Sequence, residues 1–92
     1  MIKSFGCKYT EQLFNDVLVK RFSAIALPAR MRLLGLNIAT SLDDLRVPPG
    51  NRLEALKGDR KGQHSIRINT QWRVCFVWHN EHAYEVEIVD YH

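Results

Sequence analysis

Apolar residues recur every three or four positions through the first 40 residues of this chain and every second position beyond residue 62. Between residues 8 and 21, Tyr9, Leu13, Phe14, Val17 and Leu18 fall at helical spacing and predict one amphipathic helix. A second helix is predicted to come next, with Pro28 in its first turn, where a fixed φ and a missing N–H cost nothing. Leu27, Met31, Leu34 and Ile38 form its apolar stripe, which leaves Arg30, Arg32 and Asn37 to face water.

The pattern then changes. Ser41, Leu42, Asp43 and Asp44 resemble a capped single turn, and Pro48, Pro49 and Gly50 stop regular structure. The chain beyond Gly50 is strand-like: a short candidate at residues 53–56, a polar loop at 57–62 with glycines at 58 and 62, then alternating segments. His64, Ile66 and Ile68 share one face, as do Trp72, Val74, Phe76 and Trp78, and as do Tyr84, Val86 and Ile88. The first five residues form a short β-prone piece in which Ile2 can pack inward.

Alternation also predicts register, because a slip of one residue would turn a strand's apolar set to the wrong face. Pairing Ile68 with Trp72 and Ile66 with Val74 makes residues 69–71 a loop and sets Arg67 directly opposite Arg73 on the other face. The same parity in the last hairpin, with Trp78 near Tyr84, places Arg73 opposite Val89 and Tyr91 on the arginine side, while Asp90 points the other way. Like charges facing each other across antiparallel strands are destabilising unless an anion sits between them. Two readings stay open: an anion site, or two solvated guanidinium groups that diverge and neutralise on Glu85 or Glu87.

Composition adds bounds. Ninety-two residues allow one domain, residues 1–92, with one core of marginal stability, and 46% hydrophobic with 25% charged residues is ordinary globular usage. The longest apolar stretch, residues 24–29, is broken by Pro28 and too short to span a bilayer; without a secretory leader the expected location is the cytoplasm. Cys7 and Cys75 lack metal-ligand spacing and are expected to be reduced thiols. A net charge of +3 is weak evidence of an anionic partner, but Lys57, Arg60, Lys61, Arg67 and Arg73 cluster within one short segment.

A phosphate between Arg67 and Arg73 could meet Lys57 and Arg60 from the preceding loop and Tyr91 from the last strand. Such a group suits phosphodiester cleavage in RNA, where the 2′-hydroxyl is the nucleophile and the protein supplies alignment, proton transfer and charge stabilisation. That chemistry needs no metal or other cofactor. His64, His79 and His82 read as structural, and Trp72 and Trp78 as core residues more than as base-stacking platforms.

The opening Met1-Ile2-Lys3-Ser4-Phe5, the segment Leu56-Lys57-Gly58-Asp59-Arg60, Ser65-Ile66-Arg67 with Trp72-Arg73, and the ending Asp90-Tyr91-His92 together resemble the HigB branch of the RelE-like messenger RNA interferases, in order and spacing over nearly the whole chain. The resemblance implies an α+β fold with two N-terminal helices on one face of a small, mainly antiparallel sheet, as in RelE-like and microbial ribonucleases. It implies a toxin of a type II toxin–antitoxin system that cuts messenger RNA at A-site codons on the ribosome. It also implies a HigA-like helix-turn-helix antitoxin through which the pair contacts operator DNA. Carried over by residue, Lys57, Arg60 and Arg67 contact RNA phosphates, and Arg73, Asp90, Tyr91 and His92 form the catalytic group.

Glu54 departs from the histidine that some members carry at this place. It is either a replacement base or, by preference, a solvent-facing strand residue. The competing functions are a non-catalytic RNA- or protein-binding module of the same fold and a ribonuclease that needs no ribosome. Lys20, Arg21, Arg30 and Arg32 are compatible with docking on an acidic partner and equally with an ordinary solvated helix face.

Overall fold

The computed structural model describes residues 1–91. Two helices, α1 (Lys8–Phe14) and α2 (Ala26–Ile38), precede four strands, β1 (Glu54–Ala55), β2 (His64–Arg67), β3 (Trp72–His79) and β4 (His82–Asp90). The strands form one antiparallel sheet in the order β1-β2-β3-β4. Residues near the start add parallel bridges from Ile2 to Ala83 and from Phe5 to Val86 along the outer edge of β4. The fold is therefore α+β, with the helices against one face of a mainly antiparallel sheet.

The first helix is shorter than its apolar spacing predicts. It ends at Phe14 because Asn15 and Asp16 build a left-handed stop: Asp16 has φ 64°, its N–H donates to the Leu13 carbonyl at 3.0 Å, and the Val17 N–H donates to the Gln12 carbonyl at 2.9 Å. Those two bonds are the Schellman pattern, with an aspartate where glycine is usual. Val17 and Leu18 consequently leave the core and are exposed.

The second helix forms where expected but presents the opposite face. Ala29, Leu33 and Leu36 pack into the core with Phe22, Ile25, Ile66, Val74, Phe76 and Val86. Leu27, Met31, Leu34 and Ile38 are 74%, 56%, 36% and 78% exposed. Small Ala29 lets the helix approach the sheet, and two leucines fill the space beside it. Arg32 and Asn37, expected to face water, are half-buried: the Arg32 Nε donates to the Arg67 carbonyl and the Asn37 Oδ1 accepts from the Ile2 N–H, both at 2.9 Å. Periodicity alone could not separate two stripes of similar apolarity on one helix.

The Ser41 turn is capped as its residues suggest, with reciprocal bonds between Ser41 and Asp44. The β2–β3 register is also as predicted, Ile66 facing Val74 and Arg67 facing Arg73. In the last hairpin Arg73 does oppose Val89, but the pairing shifts by one residue between Cys75 and Val77. Glu85, at φ 55°, is the extra residue of this bulge, and its N–H donates to the Ser4 hydroxyl at 2.9 Å. Beyond it Ala83 rather than Tyr84 faces the core and pairs with Trp78. On the helix side, the buried Thr10 hydroxyl accepts the Ile88 N–H at 3.0 Å and ties α1 to β4.

Candidate functional site

The sheet face turned away from the helices carries an arginine cleft of about 380 Å³, lined by Arg52, Glu54, Arg67, Asn69, Thr70, Arg73 and Tyr91. Its floor begins with strand parity. Arg67 and Arg73 are cross-strand neighbours, and Ser65 is paired with Cys75, one strand step along from Arg73 on the same face. The short side chain of Ser65 leaves room for a guanidinium to lie across the sheet.

Arg73 occupies that room and is only 9% exposed. A buried guanidinium has to be hydrogen-bonded or paired. Its Nε donates to the Ser65 Oγ at 2.8 Å and its Nη2 to the Arg52 carbonyl at 2.7 Å. Its Nη1 lies 3.6 Å from the Glu54 Oε1, and the guanidinium stands 5.7 Å from the centre of the Tyr91 ring. Two neutral acceptors thus hold the group, and one edge faces the cleft.

The Arg52 carbonyl is delivered by the loop that Pro48, Pro49 and Gly50 break. A single 3₁₀ turn, Pro49–Asn51, ends with Arg52 in the left-handed region at φ 46°. Asn51, buried, braces the turn by donating from Nδ2 to the Leu45 and Val47 carbonyls at 3.2 and 3.3 Å. A left-handed non-glycine residue costs roughly 1–2 kcal/mol, which the bond to Arg73 offsets in part.

Arg67 takes the other direction. Its Nε donates to the Asn69 carbonyl at 3.0 Å in the β2–β3 turn, where the Asn69 Oδ1 accepts the Gln71 and Trp72 N–H groups, each at 2.8 Å. The two facing arginines therefore diverge. Neither Glu85 nor Glu87 pairs with them among the described residues: Glu87 binds the Arg60 Nη1 at 2.7 Å, and the carboxylate at the cleft is Glu54. Among the described residues, three arginines against one carboxylate give the cleft a cationic lining.

Glu87 raises the pKa of the Arg60 guanidinium by accepting its hydrogen bond. Between Arg60 and Arg73 and beneath the surface lies Cys75, wholly buried, and burial pushes its thiol pKa up. Among the described residues no three His, Cys, Asp or Glu side chains gather to hold a metal ion. The cleft offers fixed cations, a carboxylate and a phenol. That set can grip a phosphate and move a proton beside it.

A family description, RelE-like toxin of type II toxin-antitoxin system HigB, matches residues 3–92. The chain belongs to this family of HigB-like toxins. Toxin HigB-1 of Vibrio cholerae serotype O1 is 41% identical over 80 residues, 85% of this chain and 84% of that protein. A protein named Endoribonuclease HigB, from Proteus vulgaris, is 34% identical over 93 residues and covers 100% of both chains. A chain of the YoeB-YefM complex from Staphylococcus aureus has the same fold, with a TM-score of 0.58 at 17% identity over 100% of this chain and 98% of that one. Membership in a type II toxin–antitoxin family brings an antitoxin partner with it. No helix among the described residues is long and apolar enough to cross a membrane.

Within this HigB-like toxin the expected site residues are not all in one place. Glu54, Arg67, Arg73 and Tyr91 line the cleft. Lys57 is exposed outside it, and Arg60 lines a separate hollow with Cys7, Arg21, Trp72, Glu87 and Asp90. Asp90 pairs with Trp72 across the strands and its Oδ2 accepts from the Gln71 Nε2 at 3.2 Å; the Gln71 carbonyl in turn accepts the Tyr91 N–H. His92 lies outside the described residues. Sequence reasoning missed Ser65, Asn51 and Arg52. Parity alone could have flagged Ser65, which shares a face with both arginines.

Proposed function

We propose that the protein is an endoribonuclease that cuts messenger RNA at A-site codons on the ribosome, by attack of the 2′-hydroxyl and without a metal ion. The observation that carries this reading is the facing pair Arg67–Arg73, diverging around a cationic cleft that also holds Glu54 and Tyr91. The full-length similarity to a protein named an endoribonuclease supports it.

The scissile phosphate sits against the Nη1 edge of Arg73, beside Glu54, with Arg67 on its other side, where both arginines stabilise the charge that grows on the equatorial oxygens. Glu54, beside Arg73, takes the proton of the 2′-hydroxyl as its oxygen bonds to phosphorus. The bond from phosphorus to the 5′ oxygen breaks, and the Tyr91 phenol gives that oxygen a proton. The products are a 2′,3′-cyclic phosphate and a 5′-hydroxyl. Asp90 is a positioning residue that steadies Gln71 and through it Tyr91. His92 completes the carboxy-terminal group, and Lys57 and Arg60 contact flanking phosphates.

The whole chain, residues 1–92, acts as one domain in the cytoplasm, and its partner is a HigA-like helix-turn-helix antitoxin that links the pair to operator DNA. Mapping 5′ ends of a defined messenger, with and without ribosomes and in excess chelator, tests the reading. Cuts confined to A-site codons are expected. Cuts on naked RNA would replace it with a free ribonuclease, and no cuts with a non-catalytic binding module.

A further inference from the structure

Arg67 is held through its backbone as well as its side chain, and the backbone donor comes from the helix side of the sheet. Along an antiparallel strand, successive residues turn their N–H and C=O groups to alternate neighbours. The Ile68 N–H donates to the Trp72 carbonyl at 2.9 Å, so Ile66 and Ile68 bond to β3, while Gln63, Ser65 and Arg67 are turned toward β1. Gln63 accepts the Leu56 N–H and Ser65 lies opposite Glu54. The Arg67 carbonyl is next in that series, but β1 begins only at Glu54, because Arg52 is in the left-handed region. A half-buried carbonyl at such a gap needs a donor from elsewhere. The Arg32 Nε supplies it at 2.9 Å.

Arg32 is half-buried, and among the described residues no carboxylate pairs with it. Its bond to the carbonyl is charge-assisted and therefore stronger and shorter than a neutral donor would give. The peptide link that it holds joins Arg67, the last residue of β2, to the turn that leads into β3. Fixing that link fixes the direction in which the Arg67 side chain leaves the strand. It also fixes the start of the turn whose Asn69 carbonyl accepts the Arg67 Nε at 3.0 Å. Asn69 and Thr70 line the arginine cleft beside Arg67 and Arg73, whereas Arg32 lines a different hollow, of about 420 Å³, with Ile66, Leu45 and Asn51. Arg32 therefore reaches the cleft only through Arg67.

We propose that Arg32 is a positioning residue for RNA cleavage: from behind the sheet, and without touching RNA, it sets the aim of the Arg67 guanidinium and the Asn69–Thr70 rim of the cleft. The proposal rests on the reading of Arg67 as a contact to the scissile phosphate. The test is a double-mutant cycle in single-turnover cleavage at saturating substrate, with Arg32→Met, Arg32→Lys, Arg67→Ala and Arg32→Met/Arg67→Ala. Methionine keeps the length and helix preference of the side chain and removes the donor, so the variant keeps the fold, which urea titration checks. Lysine keeps a charged donor, one bond farther out than the Nε it replaces.

Arg32→Met is expected to slow cleavage about 10-fold in the otherwise wild-type chain, yet by less than about twofold once Arg67 is alanine, because the side chain that it aims is then gone. Arg32→Lys is expected to recover to within about threefold of wild type. Losses that multiply, with the full effect of Arg32→Met persisting in the Arg67→Ala protein, would overturn the proposal and leave Arg32 a general support of the fold. An Arg32→Met protein that cuts at the wild-type rate would overturn it too, as would Arg32→Lys no faster than Arg32→Met. The underlying reading fails by a different result, an Arg67→Ala protein that cuts as fast as wild type.

Discussion

The Ser65 hydroxyl, wholly buried, accepts the Nε of Arg73 at 2.8 Å and fixes the orientation of the most buried guanidinium at the cleft. Removing the acceptor strands a buried charged donor, which costs about 1–3 kcal/mol. Ser65→Ala is therefore expected to lower folding stability by that amount in urea titrations. It should also lower the single-turnover cleavage rate while leaving KM nearly unchanged, because the charge remains and its aim is lost. Ser65→Thr keeps the hydroxyl and is expected to restore part of the rate; equal rates for both variants would deny Ser65 a positioning role.

Arg73 itself is expected to be irreplaceable by lysine. Lysine keeps the charge but cannot donate simultaneously to Ser65, to the Arg52 carbonyl and into the cleft in the fixed fork of a guanidinium. Loss of one donor to a developing oxyanion typically costs about 10²–10³ in kcat. Cleavage by Arg73→Lys within tenfold of wild type, roughly 1.4 kcal/mol, would show that point charge suffices.

Glu54 separates two roles cleanly. As the proton acceptor, its change to glutamine is expected to slow cleavage by about 10²–10⁴. As a mere counter-ion of Arg73, 3.6 Å away and 54% exposed, it would compete with phosphate, and Glu54→Gln would bind RNA more tightly and cut it no more slowly. Single-turnover rates and RNA affinity of the one variant decide between them.

The two cysteines should differ in reactivity. Alkylation requires the thiolate, and burial both raises the Cys75 pKa and blocks access, so a neutral-pH reagent is expected to label half-buried Cys7 and reach Cys75 only on unfolding. Mass spectrometry after labelling in buffer and in denaturant checks this. Equal labelling in buffer would contradict the packing beneath the arginine cleft.

Helix α2 offers a stability test of its own orientation. Leu33→Ala empties a fully buried position and is expected to cost about 2–5 kcal/mol, whereas Leu27→Ala removes a mostly exposed side chain and should stay within about 0.5 kcal/mol. The stripe read from spacing alone would reverse that order.

Much of the sheet was legible because period-two alternation admits one register: Ile66 with Val74 forces Arg67 opposite Arg73, and the structure has both. Helix α2 was legible as a helix but not in its rotation, since two apolar stripes compete and one is reserved from the core. The left-handed turn at Asp16 and the bulge at Glu85 were not legible, because both place non-glycine residues at positive φ where no local rule demands it. At the cleft, the facing arginines and Tyr91 came from parity. The Arg52 carbonyl did not, since a backbone acceptor leaves no trace in residue type.

The most direct test of the central claim is cleavage of a messenger carrying a single 2′-deoxynucleotide immediately 5′ of the mapped cut. If the arginine cleft promotes attack by the RNA's own 2′-hydroxyl, that one bond stays intact while the matching all-ribose messenger is cut and yields a 2′,3′-cyclic phosphate. Cleavage of the deoxy-substituted bond at an undiminished rate would contradict the account, because the nucleophile would then have to come from elsewhere.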